Sequence, residues 1–480
     1  MENTHFESLY PPTTREKEVE KILTFVKEGK SCQIVSLPGA GRSNLLGLLS
    51  YNRNVRIKFF GEENQKWYHF VYCNFSEVRK KPLLEAEKYL FLSLVDSMRE
   101  RKMEDEYKRA SEIFKDSLSF NDELVLFQGL KKIIDILAIE KKLTIVFLFD
   151  RFEEYVPMLT SSFFSNLRIL RGRAKYRFSI IFSLNRPLED TIEPALFADF
   201  YEFLAGNIIY LPLFDKEGFD FRLSYMEKVT GKKMDKKLLE KILKLTAGHG
   251  KLTRVSLEAI LASDKFEARN SKLETNTNNQ NKKVLDLKNS NFKIVSDFDI
   301  RISDLTSFLL EQKTVKGSLL EIWNSLTPEE QNCLMSNIQC QISNVKLSYL
   351  EDVGLVKDGK IAIPLFDEFV TRFRQEFSDA GKKKIIIDES GKILRGNEPL
   401  SDKLTSFEFK LLKFLLENED KVLEREEIIN SVWHDLKSKE GVTDQALDQL
   451  IFRLRKKIES DPNNPFHIQT IKGRGLKFSS

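Results

Sequence analysis

Short, almost wholly apolar runs alternate with amphipathic stretches from the N-terminus to about Pro212. The runs are CQIVSL, YHFVYCNF, LTIVFLFD, RFSIIFSLN and NIIYLPLF. Continuous apolarity, rather than strict alternation, is what strands covered on both faces show, so the pattern predicts a mainly parallel sheet flanked by helices. From Lys216 to about Ser263 the periodicity turns helical. The stretch NSKLETNTNNQNKKVLDLKNSN is rich in Asn and Lys and nearly free of aromatics, and it reads as a linker or long loop. Regular pattern resumes with GSLLEIWNSLTPEEQNCLMSNI, and GLVKDGKIAI sets Asp358-Gly359 between two apolar runs, a hairpin signal. Helices plus that hairpin predict a small winged-helix module ending near Phe377. KKKIIIDESGKILRGNEPL reads as short strands, with further helices and a second hairpin after it. The expected division is 1–215 for the α/β sheet domain, 216–265 for a helical segment, 266–300 for the linker, 301–380 for the middle module and 381–480 for the last domain.

Chemistry enters at SLPGAGRSN, Ser36 to Asn44, which joins the strand CQIV to the helical pattern NLLGLLS. A glycine-rich turn feeding a helix start points backbone N–H groups at a bound anion. TIVFLFD ends on Asp150, with Glu153 and Glu154 just beyond, and RFSIIFSLN ends on Asn185, followed by Arg186. Ligands of open α/β sheets collect at the carboxyl ends of strands. Gly39, Gly41, Arg42, Ser43, Asp150 and Asn185 are therefore expected along one sheet edge.

This set resembles the P-loop ATPases of the AAA+ and STAND superfamily over roughly the first half of the chain. The resemblance implies a P-loop NTPase-like sheet with a helical lid, and ATP (or ADP) with Mg²⁺ as cofactor. Carried over, Arg42 stands at the lysine position, Ser43 at the Mg²⁺-ligating hydroxyl, Asp150 at the metal aspartate and Asn185 at the polar sensor. LTAGHGKLTRVSLEAIL looks like the part of the lid that closes on nucleotide, with Arg254 as sensor arginine and Arg168, Arg171 and Arg173 as candidate arginine fingers. Two departures bear on catalysis. A planar guanidinium is not a neutral exchange for a compact ammonium, and Arg151 occupies the place where many relatives carry the catalytic glutamate. Glu153 and Glu154 remain as candidate catalytic residues. Hydrolysis needs both charge neutralisation and an oriented water, so a nucleotide-holding switch with slow turnover is expected.

Net charge conceals the other signal. The 76 basic residues nearly balance 72 acidic ones, yet from Gln449 onward seven basic residues face only Glu459 and Asp461. Leu447, Ile451, Leu454 and Ile458 make one apolar helical stripe. Gln449, Phe452, Arg453 and Lys456 fall on the opposite face, with Arg455 and Lys457 flanking it. Such a face suits a major groove, where arginine pairs with guanine and glutamine with adenine. FHIQTIKGRGLKF follows as strand, glycine turn and strand, adding Lys472, Arg474 and Lys477. The order LTSFEFKLLKFLLENEDKVLEREEIINSVW, LDQLIFRLRKKIESDP, IQTIKGRGLKF closely resembles the winged helix-turn-helix domain of OmpR/PhoB-type response regulators, from about Lys384 to the end. That resemblance places Leu447 to Ile458 on the recognition helix, Arg453 at a base-contacting position and Lys477 on the wing. Leu476 replaces the usual wing aromatic, and Gln445 stands where arginine is frequent. HDLKSKEG matches the segment that touches RNA polymerase in relatives.

Composition narrows the setting. Cys32, Cys73, Cys333 and Cys340 show no metal spacing and imply no disulfide framework. The polar start carries no signal-peptide pattern and no apolar run reaches membrane-spanning length, so a cytoplasmic protein is expected. Trp323 and Trp433 read as core residues and His249 as a helix-end residue. The middle module lacks a basic face, and the STAND resemblance gives it a relay role. The expected function is a DNA-binding transcriptional regulator with an ATP-binding switch; its partners are double-stranded DNA, RNA polymerase and a second copy of the chain. Two alternatives stand beside it, an active AAA+ ATPase acting on DNA like an origin-recognition loader and a STAND-type signalling or defence scaffold.

Overall fold

The computed structural model describes residues 5–120, 122–231, 233–262, 301–335, 348–382, 385–388, 391–395, 398–434, 444–459, 465–471 and 475–479. The segment expected as a linker therefore lies outside the described residues. Contacts divide the chain into two compact units, Met1–Phe369 and Val370–Ser480.

The first unit is built on five parallel strands, β1 (Cys32–Val35), β2 (Tyr68–Asn74), β3 (Thr144–Asp150), β4 (Phe178–Leu184) and β5 (Ile208–Tyr210), in the order β2-β3-β4-β1-β5. Every residue of β1 and β4 is buried, as is β3 after its first residue. Continuous apolar runs form these strands because helices cover both sheet faces. The register decides which strand ends meet. Val35 lies opposite Leu184 and Phe149 opposite Phe182, so β1, β4 and β3 end almost level. Ser36, Asn185 and Asp150, the residues reached next, are delivered to one edge. The mainly parallel α/β sheet flanked by helices that the sequence predicts is the one observed.

Helices Lys216–Thr230, Lys236–Thr246 and Gly250–Leu261 follow β5 and make up the helical segment expected as a lid, called the lid below. After them come helices Ile302–Glu311, Lys313–Asn324, Pro328–Met335 and Ser348–Asp352 and the hairpin β6 (Val356–Lys357) and β7 (Lys360–Ile361). Asp358 and Gly359 both carry positive φ, 50° and 69°, as a two-residue type I′ turn requires. Trp323 is buried in this module.

In the second unit the end of the helix Pro364–Lys382 is followed by a three-stranded antiparallel sheet, β8 (Ile385–Ile387), β9 (Ile393–Arg395) and β10 (Glu398–Pro399). Helices Ser406–Glu417, Arg425–Val432 and Asp444–Ile458 follow, with a second sheet of β11 (Val422–Leu423), β12 (Ile468–Ile471) and β13 (Gly475–Phe478). One apolar core, including Leu411, Ile428, Leu447, Leu454 and Phe478, joins them. Trp433 is half-buried and stacks on Phe407 at 5.6 Å. Among the described residues no helix is long and apolar enough to cross a membrane, and Cys32, Cys73 and Cys333 are buried free thiols.

Candidate functional site

The loop after β1 turns through Gly39 (φ +83°) and Gly41 (φ +110°) into the helix Arg42–Tyr51. Gly39 has no room for a side chain, since a Cβ there would lie 2.6 Å from that of Lys251 in the lid. Lid and loop are bonded as well as packed. Lys251 N–H donates to the Gly39 carbonyl at 3.0 Å, and His249 Nε2 meets the Pro38 carbonyl at 2.9 Å. His249 also caps its own helix, with Nδ1 accepting from Leu252 N–H at 3.2 Å. Both contacts need the neutral ring carrying its proton on Nε2, and burial pushes its pKa down to about 4. The helix-end reading of His249 is thus observed, with a second role in joining lid to loop.

Between the loop and the lid lies a cavity of about 300 Å³. Gly39, Ala40, Gly41, Thr14, Arg222 and Arg254 are among its walls. Thr14 is 2% exposed and its Oγ1 has no hydrogen-bond partner. A buried hydroxyl left unpaired costs about 1–3 kcal/mol, and this one stands in the wall of the cavity. Arg254 pairs with Glu258 at 3.0 Å. Arg222, bonded to the Tyr10 hydroxyl, and Arg15, which donates to the carbonyls of Pro212 (2.8 Å) and Ala40 (3.0 Å), were missed in the sequence. Only residue types near the loop guided that reading, whereas these arginines come from segments distant along the chain.

At the sheet edge Asp150 is 2% exposed and both carboxylate oxygens accept hydrogen bonds, from Ser43 Oγ (3.1 Å) and from the Tyr72 hydroxyl (2.6 Å). Arg42 is buried and turned inward. It donates to the Ser36 carbonyl (3.1 Å), to Asn185 Oδ1 (2.6 Å) and to Glu153 Oε1 (2.8 Å). Gly41, Arg42, Ser43, Asp150 and Asn185 are thus brought together. Glu153 is held by Arg42, its second oxygen buried without a partner, and burial raises its pKa against the lowering effect of the guanidinium. Glu154 is drawn aside to Ser76 (3.1 Å) and Arg151 (3.5 Å). The three candidate arginine fingers are committed within the chain: Arg168 to Asp199, Arg173 to Asp135 and Arg171 to the Gly29 carbonyl beneath the Phe203 ring.

The same edge carries a junction. Asn185 binds Arg42 with its side chain while its backbone carbonyl accepts from the Tyr349 hydroxyl at 2.7 Å. Arg186 pairs with Glu330, NH1 reaching Oε1 at 3.1 Å, and its guanidinium sits 4.0 Å from the Tyr349 ring centroid. Lys251 pairs with Glu321. Links thus run from the end of β4 and from the helix Gly250–Leu261 to the middle module.

In the second unit, Gln449, Phe452, Arg453 and Lys456 are all exposed along one face of the helix Asp444–Ile458, opposite buried Leu447, Ile451, Leu454 and Ile458. The flanking cations differ from the expectation. Arg455 donates to the Ile468 carbonyl (2.7 Å) and to Thr470 Oγ1 (2.9 Å), fixing the helix to β12. Lys457 donates to Glu408 (2.6 Å), itself part of the Thr405–Glu408 capping box. Lys477 pairs with Asp420 at 3.1 Å. Glu459, counted above against the basic face, is buried and accepts from the N–H groups of Phe466, His467 and Ile468. Lys472, Arg474 and all of HDLKSKEG except His434 lie outside the described residues.

Comparison with known proteins decides the second unit. Residues 401–478 match the family model described as "Transcriptional regulatory protein, C terminal". They form an OmpR/PhoB-type winged-helix domain. The sensory transduction protein RegX3 of Mycobacterium leprae is 43% identical over 74 residues, 15% of this chain and 35% of that protein. The regulatory protein VirG of Rhizobium rhizogenes is 37% identical over 99 residues, 21% of this chain and 36% of its own length. The chain thus spans about a third of the length of these relatives. A Walker-type ATPase of Pyrococcus abyssi aligns over 77% of this chain and 97% of its own, at 14% identity and a TM-score of 0.44. Within the winged-helix domain, Leu476 points into the core at 1% exposure, so its departure from an aromatic is a packing change. Gln445 is exposed on the first turn of the helix Asp444–Ile458.

Proposed function

We propose that this protein is a cytoplasmic, DNA-binding transcriptional regulator whose first unit is an ATP-dependent switch. The observation that carries the DNA reading is the free face Gln449–Phe452–Arg453–Lys456 on the third helix of the winged-helix domain. Arg453 and Gln449 have the donors to read guanine and adenine edges, and Lys456 supplies phosphate charge. Arg455, Lys457 and Lys477 shape the domain instead, so the contact surface is narrower than the sequence count suggests.

The loop-and-lid cavity, the unpaired Thr14 hydroxyl and the level strand ends support ATP with Mg²⁺ as the switch ligand. One carboxylate and one hydroxyl, Asp150 and Ser43, suit a Mg²⁺ that shares its shell with phosphate and water. Glu153 is bound to Arg42 rather than free to take a proton from water, which favours holding nucleotide over splitting it. Asn185 gives the switch its lever, since it touches Arg42 with its side chain and Tyr349 with its backbone. Nucleotide occupancy thereby biases the docking of the middle module.

Binding of ATP–Mg²⁺ and of duplex DNA to the full chain tests the pair of claims. Coupling is reciprocal, so saturating ATP should shift duplex affinity about fivefold or more. Asp150→Ala should abolish that shift while leaving nucleotide-free DNA binding intact. Brisk, DNA-stimulated hydrolysis lost in Asp150→Ala would instead favour an ATPase that works on DNA.

A further inference from the structure

Phe452 is the anomaly of the helix face. It is 47% exposed on an otherwise polar surface, one turn after Gln449 and one turn before Lys456. Lys456 lies over it, its ammonium 4.6 Å from the ring centroid. Leu450, Ile451 and Leu454 beside it are all buried, so the core needs nothing from this ring. Leaving a large aromatic in water forfeits the burial a Phe side chain gains elsewhere.

We infer that Phe452 reads the C5-methyl group of a thymine in the major groove, and so sets a sequence preference at that position. The inference rests on the DNA-binding reading above. Thymine is the base that offers an apolar group on its major-groove edge, and an exposed phenyl ring is a matching surface. Position follows from spacing. Phe452 lies about 4.5 Å along the helix from Gln449 and about 1.5 Å from Arg453, and successive bases are about 3.4 Å apart. The thymine should therefore stand within one or two steps of the bases read by Gln449 and Arg453. Lys456, over the ring, carries its charge on the same face for the adjoining phosphate.

The test uses the full chain and a duplex selected by it from a random pool. Each thymine is replaced in turn by deoxyuridine, which removes one methyl group and leaves every hydrogen-bonding atom. At one position, and its symmetry mate if the site is palindromic, the exchange should weaken binding about fourfold, the transfer value of a buried methyl-sized group. Phe452→Ala should bind the thymine duplex more weakly and treat thymine and uridine alike, while Phe452→Leu keeps part of the difference. If the wild-type chain selects a sequence yet is indifferent to uridine everywhere, the thymine assignment fails and the DNA-binding reading stands. If no duplex is bound at low salt, both fail.

Discussion

Arg186→Ala isolates the joint between the sheet edge and the middle module. Its side chain is 14% exposed and that of Glu330 5%, so the substitution leaves a carboxylate buried without its partner. Removing one member of a buried pair typically costs 3–5 kcal/mol. Stacking over Tyr349 contributes about 1 kcal/mol more. Against this, Glu330 keeps the Thr327 N–H at 2.9 Å, and the emptied space admits water. A net loss of about 3 kcal/mol is reasonable, which corresponds to roughly 150-fold faster exchange through local opening. Hydrogen-exchange mass spectrometry of the full chain reads it directly in peptides covering Pro328–Met335 and Ser348–Asp352. Glu330→Gln in the same background should recover part of the protection, because the carboxylate that lost its partner is gone. Protection in Arg186→Ala unchanged within about threefold would refute the view that this pair anchors the module.

Three further outcomes are expected. His249 is neutral when folded, with a pKa near 4, whereas in the unfolded chain it titrates near 6.5. The unfolded state therefore takes up the extra proton as pH falls below about 6.5, and stability drops by roughly 2 kcal/mol by pH 5. Melting curves of wild type and His249→Asn should converge as the pH is lowered, and parallel curves would rule out the neutral bridge. Arg455→Ala should lower the thermal stability of the second unit by about 1–3 kcal/mol, since it releases the Ile468 carbonyl and Thr470; Arg453→Ala should leave melting unchanged and weaken DNA binding, and the reverse pattern would exchange the roles assigned here. Ser43→Ala, which removes the hydroxyl beside Asp150, should weaken ATP binding measured with Mg²⁺ and spare binding measured in EDTA.

The fold was legible where burial leaves its mark on composition. Five near-continuous apolar runs became five parallel strands, and Asp358-Gly359 became a type I′ hairpin, because both signals are local. The sheet-edge cluster was legible for the same reason: strand ends in a parallel sheet meet wherever their register is level. Partnership was not legible. Helical spacing separates Arg453 on the exposed face from Arg455 at its flank, yet nothing in the sequence tells that Arg455 is bound to β12. Glu459 looked like a charge opposing DNA and proves to be the clamp that starts β12, because its three donors are the N–H groups of Phe466, His467 and Ile468. Likewise Arg42 reads as a phosphate ligand by position, while its observed partners, Glu153 and Asn185, lie just beyond strands far along the chain. Long-range pairing of charges depends on tertiary geometry, which neither periodicity nor motif spacing records.

Affinity of the full chain for the selected duplex, measured across a salt series, is the most direct test of the central claim that the exposed helix face grips DNA. Binding should weaken steeply as salt rises, and Lys456→Ala should reduce the slope of log affinity against log salt by about 1. A folded chain with no salt-dependent attraction to any duplex, or one whose binding ignores both Arg453→Ala and Lys456→Ala, would contradict it.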